Sequence, residues 1–164
     1  MKLQIYISGP IDANNYLLWD EVSKEAVLID CSDFREDILE TIEKEKLNVK
    51  YILLTHGHFD HIMGLNEMNR VLQAKVGVHR KDAALLDSMP QMCAMFGIPP
   101  VEAQKYDFFV DETSELKFGD CEIKVLYTPG HTEGGVSYVT DNKVFCGDTL
   151  FKGSYGRTDL PGGN

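Results

Sequence analysis

The stretch Tyr51-Ile52-Leu53-Leu54-Thr55-His56-Gly57-His58-Phe59-Asp60-His61 decides how this chain is read. Its four leading apolar residues make a short strand covered on both faces. Directly behind them, three imidazoles and a carboxylate fall within six residues. Imidazole nitrogens and carboxylate oxygens hold Zn²⁺ and other first-row metals, and a buried strand end gives the rigid edge from which a loop presents them. His56 and His58 are two residues apart and point the same way along an extended loop, so they can share one ion. Asp60 and His61 then turn into the start of a helix, where they would face a second ion beside the first.

Two later segments have the same character. In Thr128-Pro129-Gly130-His131-Thr132, proline ends a strand and glycine permits a sharp turn that aims the imidazole back at a site. In Cys146-Gly147-Asp148-Thr149, another strand end carries a carboxylate able to bridge two cations. Taken alone, an aspartate in a Gly-Asp turn is a plain turn residue. The histidine cluster upstream makes it a candidate ligand.

Working outward, residues 3–7, 15–19 and 26–30 read as an antiparallel meander. Ser32 or Asp33 offers an N-cap to a helix carrying Phe34, Ile38, Leu39, Ile42 and Leu47 on one face, with a solvated charged face opposite. Helices are expected over 61–72 and 81–89 and a strand over 75–78. Further strands are expected over 108–110, 122–127, 135–140 and 143–151. Residues 90–104 interrupt the alternation, with Met92, Cys93, Met95 and Phe96 ahead of Pro99-Pro100. They read either as a short helix closing the core, the plainer reading, or as an adaptable apolar lid over a pocket. The class is α/β or α+β, one domain over residues 1–164.

Composition narrows the function. Acidic residues outnumber basic ones 26 to 16, a net charge of -10, which opposes a phosphate backbone, so no nucleic-acid partner is expected. No apolar run approaches the ~20 residues that cross a bilayer. Cys31, Cys93, Cys121 and Cys146 form no C-x-x-C pair, and Met1-Lys2 does not open a signal-peptide pattern, so reduced thiols in a cytoplasmic protein are expected.

The motif H-x-H-x-D-H at 56–61, P-G-H-T at 129–132, G-D-T-L-F at 147–151 and G-R-T-D at 156–159 resemble the metallo-β-lactamase-fold hydrolases, in particular their glyoxalase-II-like branch. The resemblance runs from the Asn15-Tyr16-Leu17 strand through Asp30 to Gly163. It implies an αββα sandwich of two related halves with a metal site at one edge between the sheets. A first zinc would be held by His56, His58 and His131, and a second by Asp60 and His61 with Asp148 bridging. Asp60 would also orient the attacking hydroxide. Asp30 would support the ligands from behind, the rival reading being a turn and cap residue.

The branch has one more histidine after His131 and further strand and helix elements, whereas this sequence ends at Asn164. The expectation is an incomplete second half, a second metal site one ligand short, and an exposed edge that favours a homodimer. His79, at another strand end, is either a substitute ligand or, more plainly, a surface histidine. Arg157 either clamps a substrate carboxylate or pairs with Asp159, which stands where the branch's glyoxalases carry a tyrosine that helps bind glutathione. The reaction implied is hydrolysis of a small thioester of the acyl-glutathione type by metal-bound hydroxide. The alternatives are a persulfide dioxygenase using a single iron on His56, His58 and His131, and a catalytically inactive metal-binding fragment or interaction module.

Overall fold

The computed structural model describes residues 1–160 and 162–164. Strands β1 (Lys2–Ser8), β2 (Ala13–Trp19) and β3 (Glu25–Ile29) form the antiparallel meander. Helix α1 (Glu36–Glu45) then crosses over to β4 (Asn48–Leu53), which runs parallel to β3. Helices α2 (Phe59–Ile62) and α3 (Leu65–Leu72) lead to β5 (Lys75–His79), and α4 (Ala83–Asp87) and α5 (Met89–Met95) lead to β6 (Phe108–Val110). Both crossovers add parallel strands, so the six-stranded sheet has the order β1-β2-β3-β4-β5-β6. A second, antiparallel sheet has the order β10-β9-β8-β7, from β7 (Leu116–Phe118), β8 (Cys121–Tyr127), β9 (Val136–Thr140) and β10 (Lys143–Phe145). A small hairpin of β11 (Leu150–Phe151) and β12 (Ser154–Tyr155) follows.

Side-chain alternation explains the layering. Along β3, Ala26 and Leu28 face the helices while Val27 and Ile29 face the second sheet, and all four are fully buried. The helix-side core adds Ile38, Leu65, Met68, Leu86, Met89 and Cys93. The core between the sheets adds Phe118, Ile123, Val125, Tyr138 and Phe145. Tyr138 also donates its hydroxyl to Leu54 O at 2.8 Å, tying the second sheet to the end of β4. On the far face of the second sheet, Leu126 and Val144 are exposed, and no helix covers them among the described residues. Three layers of the αββα sandwich are therefore present among the described residues, helices, sheet and sheet.

Several local expectations are corrected. Neither Ser32 nor Asp33 caps α1, which starts after Arg35 with no side-chain cap. Ser32 N instead donates to the buried Asn15 Oδ1 at 2.7 Å, while Asp33 accepts from its own neighbour Phe34 N at 2.8 Å. The helix expected over 61–72 breaks into α2 and α3 because Gly64 N donates to Cys31 O at 3.1 Å, and a Cβ at Gly64 would lie 2.1 Å from the Asp33 carbonyl carbon. Only glycine allows that approach. Residues 90–104 begin inside α5, with Pro90 in the first turn, where its missing N–H costs nothing. This is the core-closing helix on its inner side, Met92 and Cys93, but Met95 and Phe96 are exposed. The strand expected over 143–151 stops at Phe145 and gives way to a 3-10 turn, Gly147–Thr149, and β7 was not expected at all.

Candidate metal centre

Every candidate ligand leaves the end of a strand or the first turn after one. His56 and His58 follow β4, Asp60 and His61 open α2, His131 follows β8, and Asp148 follows β10. The four histidines and Asp60 are buried, and Asp148 is partly buried. Ligand atoms of His56, His58 and His131 lie within 4.8 Å of one another, and so do those of His56, His61 and Asp148. His56 thus belongs to both groups, whereas the sequence suggested a division in which Asp60 and His61 face the second ion without it. Asp60 Oδ2 lies close by, 3.4 Å from His61 Nε2.

The hydrogen bonds behind the histidines fix which nitrogen each one presents. Asp30 sits at φ +59°, a left-handed conformation that aspartate tolerates better than most residues, and is fully buried at the end of β3. Its Oδ1 accepts from Thr55 N at 2.8 Å, and its Oδ2 accepts from Thr55 Oγ1 at 2.7 Å and His61 Nδ1 at 2.8 Å. A carboxylate only accepts, so His61 carries its proton on Nδ1 and turns Nε2 inward. Thr55 has spent its proton on Asp30, so its hydroxyl accepts from His56 Nδ1 at 3.1 Å, and His56 also turns Nε2 inward. His131 Nδ1 donates to the Arg157 carbonyl at 2.7 Å, leaving Nε2 as acceptor toward His58 Nδ1 at 2.9 Å. Asp30 therefore holds His61 directly, and His56 through Thr55, from behind the cluster.

The consequence is two fully buried nitrogens, His56 Nε2 and His61 Nε2, with no hydrogen-bond partner. Buried polar atoms are rarely left so, because each costs about 1–3 kcal/mol. His61 Nε2 is 3.2 Å from Asp148 Oδ1, and His131 Nε2 is 3.5 Å from Asp148 Oδ2. The electrostatics differ between the two halves of the cluster. Burial pushes His56 well below its ordinary range, helped by the imidazoles around it. Burial acts to lower His61 as well, but Asp30, Asp148 and Asp60 outweigh it and hold that imidazole well above the usual value. Burial raises the Asp60 carboxyl, and at Asp148 the histidine charges overcome burial and lower it. Lone pairs aimed inward and carboxylates short of a cation are the donor set a first-row metal fits.

Two features escaped sequence reading. Asp82, fully buried before α4, accepts from Gly57 N at 2.9 Å, Thr132 Oγ1 at 2.7 Å and Gly134 N at 2.7 Å. It ties the His56-Gly57-His58 loop to the turn bearing His131. Lys81-Asp82 reads only as a charged helix start, so no local signal marks it. Gly147, at φ +48°, brings the Asp148 turn against Thr55, where a Cβ would meet Thr55 Oγ1 at 2.3 Å. Of the other candidates, His79 lies outside both groups and stacks on Tyr127, with ring centroids 4.9 Å apart. Arg157 forks onto Asp159 through two bonds of 2.6 Å.

Helices packed on a two-sheet sandwich, with a histidine and aspartate cluster where the sheets' loops meet, define a metal-dependent hydrolase fold. The chain belongs to the metallo-beta-lactamase superfamily, whose sequence profile matches residues 8–164. It is 34% identical over 168 residues to the hydroxyacylglutathione hydrolase GloC of Haemophilus influenzae, covering all of this chain and 79% of that protein. Among solved structures, the BLEG-1 B3 metallo-beta-lactamase superposes with a TM-score of 0.87 at 34% identity, covering 99% of this chain and 79% of that one. TTHA1623 in a di-iron-bound form gives 0.85 at 32%, covering 98% and 79%. ETHE1 from Myxococcus xanthus gives 0.78 at 28%, covering 100% and 64%. No helix among the described residues is long and apolar enough to cross a membrane.

Proposed function

We propose that this protein is a binuclear metal-dependent hydrolase of thioesters, with zinc as the resident metal. The observation that carries the reading is the pair of orphaned nitrogens, His56 Nε2 and His61 Nε2, set between two groups of metal-ligating atoms. His56, His58 and His131 would hold one ion, and His61, Asp148 and Asp60 the other. When bound, the ions supply water that is ionised near neutral pH and a Lewis acid for the substrate carbonyl.

The remaining work falls to the chain. Asp60 accepts a hydrogen bond from the attacking oxygen and orients it, and Asp30 and Thr55 keep His56 and His61 in the tautomers that face the centre. A carbon–oxygen bond forms at the carbonyl carbon and the carbon–sulfur bond breaks, giving a carboxylate and a thiolate that takes its proton from water. A thiolate leaves without acid assistance. The similarity to the hydroxyacylglutathione hydrolase GloC supports a thioester. All four cysteines are free thiols, which supports a cytoplasmic setting.

Elemental analysis of protein purified without added metal, followed by a thioester hydrolysis assay, tests this. About two zincs per chain with hydrolysis lost on chelation are expected, whereas two irons would correct the metal and keep the reaction. A second reading, a mononuclear iron persulfide dioxygenase, draws on the completeness of the trio His56, His58 and His131 by itself. One iron per chain and oxygen uptake with a persulfide would establish it in place of the first.

A further inference from the structure

The metal-ligating groups lie at the junction of two clefts, one walled mainly by apolar side chains and the other mixed. One, of about 480 Å³, opens over His58, Asp60, His131 and Asp148, and its outer walls are Ile11, Met92, Phe96, Phe151, Tyr155 and Leu160. Four of these are large apolar side chains left open to solvent: Ile11 64%, Phe96 42%, Phe151 49% and Tyr155 75%. Scattered apolar side chains on a surface need no explanation, but a set converging on a buried polar cluster does. The other, more polar cleft, of about 390 Å³, shares Ile11, Asp60, Asp148 and Phe151 and continues past Asp12, Asn14, Tyr16 and Lys152.

One cation, Arg157, borders the apolar cleft, and its guanidinium is committed. Both of its forked bonds go to Asp159, which it holds at a pKa of about 2. A second carboxylate would have to displace that partner or share it. In a chain of net charge -10, Arg157 is the one lysine or arginine among the described residues that line this cleft.

We propose that the apolar cleft is the acyl subsite of the enzyme, and that it selects uncharged, medium-length aliphatic acyl thioesters over hydroxyacyl and carboxyacyl ones. The inference rests on the thioester reading given above. The polar cleft takes the thiol arm, since thiol carriers bear amides and charges that need polar partners. The acyl chain lies against Phe96 and Phe151, and the Arg157–Asp159 pair closes the cleft to an acyl carboxylate.

The test uses N-acetylcysteamine thioesters with the metal-loaded protein. Each methylene that leaves water is expected to raise kcat/KM about four-fold, so hexanoyl, four methylenes longer, should exceed acetyl by roughly 200-fold and succinyl should fall near or below acetyl. Phe96→Ala should lower the hexanoyl-to-acetyl ratio of kcat/KM about 10-fold, a change of preference rather than of overall activity. Asp159→Asn should free Arg157 and raise the succinyl-to-hexanoyl ratio of kcat/KM at least 10-fold through a rise in succinyl turnover, a gain that damaged folding cannot produce. Calorimetry with the chelated protein adds a readout independent of catalysis, because the inert thioether S-hexyl-N-acetylcysteamine should bind at least 10-fold tighter than its S-methyl counterpart. A flat or reversed chain-length series, or equal binding of the two thioethers, overturns the subsite. Hydrolysis of no thioester, with the hexyl thioether still bound tightly, refutes the reaction proposed above and leaves the apolar subsite standing.

Discussion

Replacing Asp82 by asparagine should weaken the protein and its metal centre together. The carboxylate accepts three hydrogen bonds, from Gly57 N, Thr132 Oγ1 and Gly134 N, in a fully buried position. Asparagine keeps one accepting oxygen and puts an NH₂ where the other stood. The cheapest orientation saves the two bonds to Oδ2 and sets a donor against Gly134 N, at about 1–3 kcal/mol for the unpaired group. The two surviving bonds also lose their charge assistance, about 0.5 kcal/mol each. The sum is about 3 kcal/mol, which in a domain of this size lowers Tm by about 6–12 °C. Because Gly57 lies between two candidate ligands and Thr132 follows a third, the same change should cost about 10- to 100-fold in metal affinity, the range typical of residues that hold ligands from behind. Calorimetric melting of the chelated protein and chelator competition for Zn²⁺ measure the two effects separately. Thr132→Val, which removes one donor and leaves the carboxylate two, should show about a third of the stability loss. A Tm within 2 °C of the parent, or a lowered Tm with unchanged metal affinity, would refute the view that Asp82 sets the distance between the two loops.

Asp30→Asn should release the tautomers of His56 and His61 and cost about 10- to 100-fold in metal affinity, read by the same competition, with the largest loss at the His61 side. Gly147→Ala forces a Cβ to within 2.3 Å of Thr55 Oγ1 at a positive φ, so a loss of about 2 kcal/mol in chemical denaturation is expected, and a parent-like midpoint would contradict the close approach. Loading the chelated protein with metal should raise Tm by an amount that grows with free metal concentration, because binding to the folded state alone contributes RT ln(1 + [L]/Kd); a Tm indifferent to metal would sink the proposed centre. Asp159, held at about 2 by Arg157, should keep its charge as pH falls through the ordinary carboxylate range and lose it only near pH 2, and a carboxyl-carbon NMR titration with a midpoint near 4 would show the pair open in solution.

What the sequence carried was the part of the site written contiguously. The spacing of His56, His58, Asp60 and His61 after an apolar strand, and the turns around His131 and Asp148, are local patterns with local causes. The sharing of His56 between two groups was not legible, because it depends on Thr55 and Asp30, whose hydrogen bonds decide which imidazole nitrogen turns inward. Asp82 was hidden for a similar reason, its three donors being brought to it by the loops after β4 and β8. The break between α2 and α3 looked like an ordinary helical glycine, since only the tertiary approach of Asp33 demands it. Arg157 was left between two readings, and the fork onto Asp159 settles which partner it has here. Strand β7 has only three residues, too few to show a period.

His56, His58 and His61 leave the first sheet, while His131 and Asp148 leave the second. An ion held by both sets is a crosslink in the polymer sense, closing a loop of roughly 75 residues between His56 and His131. A permanent link of that span would remove about 4 kcal/mol of chain entropy from the unfolded ensemble. The sheets could not separate without giving up such an ion. Every unfolding event would then also be a metal-loss event, and the unfolding rate would set a floor under the rate at which a chelator strips the protein.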